Sequence, residues 1–131
     1  MLLADLGDLL ASGTTGVVGT DIFLGMLPDT PAACWAVFET GGAGPEYTMQ
    51  GESPIETPSV QLLARAATYA TARLKANQAF RVLSGLRTRT INSVMYHWAE
   101  ALQSPFLLER DDHDRPVVVC NYLLRKAVST G

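Results

Sequence analysis

The first half of the chain has no positive charge. All ten Lys and Arg residues lie at or after Arg65, whereas eight of the thirteen Asp and Glu residues come before Pro58, and no acid occurs from Pro58 to Ala99. Residues 1–57 thus carry −8 and residues 58–131 carry +5, for a net charge of −3. Such a split suits a nucleic-acid face, or acidic and basic faces that meet when copies associate side by side; two charge sets that only solvate a surface are the third reading. Lysine is scarce, with only Lys75 and Lys126. Neither an RNA-binding aromatic motif nor a helix-turn-helix pattern accompanies the arginines, which weighs against a free-standing nucleic-acid-binding module.

Cysteine is also scarce. Cys34 and Cys120 are too few and too far apart for a disulfide framework or a zinc site, so both are expected to be reduced, buried and structural. No apolar run approaches the length of about 18 residues that a spanning helix needs, so no membrane contact is expected. The opening MLLADLGDLLASG carries Asp5 and Asp8 where a secretory leader carries basic residues, so synthesis without a signal peptide, in the cytoplasm, is expected.

Catalytic patterns are missing too. Gly13, Gly16 and Gly19 precede a strand but no phosphate-binding lysine follows them. His97 sits between Tyr96 and Trp98 with no nucleophile beside it, as a core or edge histidine would. Asp111, Asp112, His113 and Asp114 are dense in donor atoms, yet adjacent residues point in different directions and no glycine-turned loop with a distal glutamate follows. No nucleophile elbow, zinc-protease or kinase pattern occurs. No catalytic, cofactor or metal site is expected.

What is present is apolar patterning. With 131 residues, 47% of them hydrophobic, the chain is long enough for one core and too short for two, so a single domain over 1–131 is expected. Leu2, Leu3, Leu6, Leu9 and Leu10 form a helical stripe, with Asp5 and Asp8 placed on the other side. Ile22 to Leu27 and Ala33 to Phe38 read as two strands of an antiparallel hairpin around Pro28-Asp29-Thr30-Pro31. Residues 41–58, rich in Gly, Pro and Glu, read as a long mobile loop. Ser59 to Arg65 reads as a further strand, and Tyr69, Ala72, Ala76, Ala79, Phe80 and Leu83 predict a helix ending near Gly85 and packed closely on a sheet. Ile91 to Trp98 is a strand, and Leu107 to Leu124 a long hairpin with an acidic turn. The fold class is therefore α+β, a mostly antiparallel sheet of about five to six strands packed against two helices.

The stretches DIFLGMLPDTPAACWAVFETGG (Asp21 to Gly42), SVQLLARAATYATARLKANQAFRVLSGL (Ser59 to Leu86) and ALQSPFLLERDDHDRPVVVCNYLLRK (Ala101 to Lys126) occur in an order that carries a resemblance. The chain resembles the minor capsid or tail-completion proteins of long-tailed phages and prophages, similar in architecture to tail terminators. That resemblance implies a homo-hexameric ring that caps the tail tube and joins it to the head–tail connector or stopper protein. It also implies a place at the head–tail junction of the virion, after assembly in the bacterial cytoplasm, with DNA passing through the lumen unread. A head-completion or connector adaptor role is the alternative within the same machine. A ring needs two different patches that bind each other. The expected basic patch is Arg65, Arg73, Lys75, Arg81, Arg87 and Arg89; the expected acidic patch is Asp21, Asp29, Glu39, Glu46, Glu52 and Glu56. The tip Asp111, Asp112, His113 and Asp114 is the expected docking hairpin.

Overall fold

The computed structural model describes residues 2–46 and 55–128, with the side chains of 43–46 left aside. The described elements are α1 (Leu2–Gly13), β1 (Ile22–Leu24), β2 (Cys34–Glu46), β3 (Ile55–Arg65), α2 (Tyr69–Ser84), β4 (Arg87–Ile91), β5 (Val94–Ala101), β6 (Phe106–Arg110) and β7 (Pro116–Ala127). The strands form one sheet in the order β1-β2-β3-β7-β5-β4, with β6 also paired to β7. The architecture is α+β, as the patterning indicates, and among the described residues seven strands contribute to the sheet.

Both helices pack on one face. Period-two alternation sends Trp35, Val37, Leu62, Val118, Cys120, Tyr122 and Leu124 to that side, where they meet Leu6, Leu9 and Leu10 of α1 and Ala72, Ala76, Ala79 and Leu83 of α2. Alanine at 72, 76 and 79 removes side-chain bulk and lets α2 pack closely on the sheet. Thr68 caps α2 by accepting from the Thr71 N–H at 3.3 Å, and the Trp35 indole N–H donates to the Lys75 carbonyl at 2.9 Å. The opposite face holds a smaller cluster of Ala36, Leu63, Val117 and Val119, with Phe23, Leu27 and Phe38 at its margin.

Gly16 marks the tightest approach between the α1–β1 connection and the core. A Cβ there would lie 2.7 Å from Ile22 Cδ1 and 2.8 Å from Trp35 Cζ3. Gly16→Ala is expected to cost about 1–3 kcal/mol by overpacking, read as a fall in the urea midpoint at constant m-value.

Three expectations are corrected. β1 and β2 do not form an antiparallel hairpin; they pair in parallel, Ile22 beside Trp35 and Leu24 beside Val37. Pro28 and Pro31 lack the N–H groups a ladder needs, and the return segment instead places Leu27 against the second-face cluster. The loop expected over 41–58 is strand at both ends, with Gly42 opposite Pro58, Ala43 opposite Thr57 and Glu46 opposite Ile55. Backbone pairing sustains this ribbon without apolar alternation, and Gly42, at φ 120° with Thr57 O only 2.4 Å from where a Cβ would stand, occupies a site closed to other residues. The remainder of that expected loop, 47–54, lies outside the described residues. Finally, β4 is a strand that the sequence reading passed over. Its turn to β5 is the two-residue Asn92-Ser93 (φ 49° and 67°), the backbone of a type I′ hairpin.

Asp5 is corrected as well. It is 1% exposed, facing the core and not solvent. Its carboxylate accepts from the Tyr96 hydroxyl at 2.6 Å and from Asn92 Nδ2 at 2.8 Å, while Asp8 accepts from the same amide at 2.9 Å. These bonds tie α1 to the β4–β5 hairpin. Close by, the buried Lys126 ammonium donates to Glu56 at 2.5 Å and lies 5.8 Å from the Tyr96 ring centroid.

Candidate assembly surface

The expected basic patch separates into three places. Arg65, at the end of β3, is 2% exposed and belongs to the interior. Its Nε donates to Ala32 O at 3.1 Å and its Nη2 to Pro28 O at 2.5 Å and Pro31 O at 2.8 Å, while Nη1 stands 3.7 Å from Asp111. It therefore pins the β1–β2 return to the end of the sheet and is not part of an exposed face. The reason is register: Arg65 pairs with Cys34 and Val117, on the second face beneath that return.

Arg73, Lys75 and Arg81 lie on α2. Arg73 Nη1 donates to Pro105 O, fastening the helix to the β5–β6 connection. Lys75 Nζ sits 3.8 Å from the Trp35 ring centroid. Arg81 is exposed beside Thr14, Thr15 and Gln78. Arg87 and Arg89 are exposed on the edge strand β4, where Arg87 Nη1 donates to the carbonyls of Leu86 at 2.7 Å and Ala99 at 3.1 Å.

The expected acidic patch is dispersed too. Asp21 accepts from the Val17 N–H at 2.6 Å in the turn before β1. Asp29 is exposed in the β1–β2 return, and its carbonyl accepts from Arg115 at 2.7 Å. Glu39 is exposed on β2, whereas Glu56 is half-buried against Lys126. Glu52 and the side chain of Glu46 lie outside the described residues.

The expected docking hairpin divides. Asp111 is turned inward: it accepts from the backbone N–H groups of His113 at 3.0 Å and Arg115 at 2.9 Å, and from Arg115 Nε at 2.8 Å. Desolvation pushes its pKa up, yet the hydrogen bonds from Arg115 and His113 prevail and hold the carboxyl below the ordinary range. Asp112, His113 and Asp114 remain exposed at the tip. A carboxyl with a lowered value contributes stability that is present above the unfolded value of about 4 and lost as pH falls through the folded one. The hairpin should therefore loosen below about pH 4, and Asp111→Asn should flatten that acid limb in a pH series of thermal melts.

The sequence reading missed an apolar surface on β6. Phe106, Leu107 and Leu108 are 40%, 43% and 47% exposed, and all five residues of the strand face solvent. A folded monomer seldom leaves such a strand open, because it offers both apolar side chains and unpaired backbone groups. Its signal was legible as three consecutive large apolar residues, which no single buried face of a strand can accommodate. Among the described residues no group of His, Cys, Asp and Glu is placed to hold a metal ion, and no helix is long and apolar enough to cross a membrane. The geometry offers strand edges and charged rims, the chemistry of association.

Comparison with known proteins gives the same direction. A search of curated proteins finds no match. Among solved structures, a chain described as "Virion of native gene transfer agent (GTA) particle" superposes with a TM-score of 0.55 at 16% identity, covering 94% of this chain and 84% of that one. At that identity the likeness establishes the fold. The family model described as "Bacteriophage tail terminator protein" matches residues 9–128, nearly the whole chain. The chain therefore belongs to the bacteriophage tail terminator protein family and is a structural, tail-completion protein of the phage virion.

Proposed function

We propose that copies of this chain assemble into a ring at the head-proximal end of the tail, where the ring caps the tail tube and joins it to the head–tail connector. The observation that carries this reading is the family match over residues 9–128. The exposed β6 strand and the basic β4 edge support it, because a ring needs two unlike patches on each subunit. A hexamer is the stoichiometry we propose. The protein acts by binding alone, with no chemical step, and DNA traverses the lumen without base-specific contact.

The docking hairpin enters the proposal in reduced form: Asp112, His113 and Asp114 reach toward a virion partner, while Asp111 keeps the turn closed. Arg81 on α2 is a second contact in the ring. Localisation tests the reading. Antibody against an epitope-tagged copy should label assembled particles at the head–tail junction only. Label at the distal tail tip, or on heads lacking tails, would contradict it.

A further inference from the structure

We infer that the subunit contact in the proposed ring is a strand-to-strand contact, in which β6 of one copy takes the β4 edge of the next copy. The inference rests on the ring reading and names its interface.

Three observations lead there. First, β5 and β6 lie in line along the same edge of β7, β5 against residues 122–126 and β6 against 116–119. β4 covers the outer edge of β5, whereas among the described residues no strand covers β6. The side of the sheet therefore has a step one strand deep, with β4 standing out and β6 set back. Secondly, the two open edges are both short strands, Arg87–Ile91 and Phe106–Arg110, each with one irregular position, Thr88 (φ 40°) in β4 and the register shift between Leu107 and Glu109 in β6. Each carries backbone N–H and C=O groups that a second strand would satisfy.

Thirdly, the edges are complementary in character. β4 exposes Arg87 and Arg89 with no acid in the strand. β6 exposes Glu109, and the turn beyond it exposes Asp112 and Asp114, with Arg110 held 3.7 Å from Asp114. A second β6 in the same place would set Phe106, Leu107 and Leu108 together without relieving the acid charge. A β4 strand supplies the opposite sign and brings Thr90 toward the apolar residues, a residue type at home in a half-buried sheet. Each copy thus gives β4 to one neighbour and receives β4 from the other.

Charge exchange is the test, with tails assembled in cells as the readout. Arg89→Glu and Glu109→Arg should each lower the yield of capped tails about tenfold by placing like charges across the contact. The double variant should restore the yield to within about twofold of the original. Thermal melting of each purified chain, within a degree or two of the original, establishes that folding is intact. If either single variant caps tails normally, or if the double variant fails to recover, the β4–β6 contact is wrong. A photo-crosslinking residue in place of Leu108 gives the independent measurement: cross-links to residues 87–90 of another copy support the contact, and cross-links confined to a different virion protein overturn it. A ring imaged at the tail end that is indifferent to all these changes refutes this interface alone; the absence of any ring refutes the reading beneath it.

Discussion

Replacing Arg65 with methionine lowers the unfolding free energy by about 3–5 kcal/mol, the range found when one partner of a buried charged network is removed. The loss is large because one guanidinium serves three backbone carbonyls, those of Pro28, Pro31 and Ala32, and leans on Asp111. Without it those carbonyls are stranded beneath the β1–β2 return. For a chain of this size the melting temperature should fall by roughly 10 °C or more. Arg89→Ala, on the exposed β4 edge, should change stability by no more than about 0.5 kcal/mol in the same assay. Equal effects at the two positions would contradict the division of the arginines into interior and surface.

The second large effect is alkaline. Burial raises the Tyr96 phenol far above its ordinary value, and the hydrogen bond to Asp5 adds to the rise; burial, with Cys120 alongside, does the same for Tyr122. Above about pH 10 the unfolded chain releases these protons while the folded chain keeps them, so stability falls with rising pH. Each tyrosine contributes about 1.4 kcal/mol per pH unit, and the pair about 2.7. Tyr96→Phe should cost about 2 kcal/mol at neutral pH, through the lost bond to a buried carboxylate, and should remove one proton from the alkaline slope. Urea titrations from pH 7 to 11 measure both numbers. An unchanged slope in Tyr96→Phe would show that this phenol is not the group that titrates.

Periodicity made the middle and end of the fold legible. α2 and β7 each bury one complete register, and the β6–β7 hairpin follows from an apolar run on both sides of an acidic turn. What escaped were residues whose role depends on distant partners. Asp5 stands three residues after Leu2 and four before Leu9, within the buried stripe, but its acceptance there depends on Tyr96 and Asn92, which lie far along the chain. Arg65 interrupts the run Leu62, Leu63, Ala64, and only the carbonyls of a loop folded back from β1 make that burial tolerable. β4 reads RTRTI and alternates no apolar residues, because an edge strand has no face to bury until β5 turns back on it.

The charge split in the sequence meets a similar limit. Arg65, Asp111 and Arg115 are consumed inside the subunit, as are Lys126 and Glu56, so the sign of a segment did not predict the sign of a face. Arg81, Arg87, Arg89, Glu39, Asp112 and Asp114 stay exposed and available to partners. The apolar residues of β6 say more about association than the charge count does, since leaving them in water is unfavourable for a monomer.

Tail length in particles lacking this protein tests the central claim most directly. With the gene deleted, electron micrographs should show overlong or unattached tails beside filled heads of normal appearance, and supplying the chain in trans should restore a single tail length joined to heads. Leaky or empty heads beside free tails of normal length would contradict the account and move the protein to head completion.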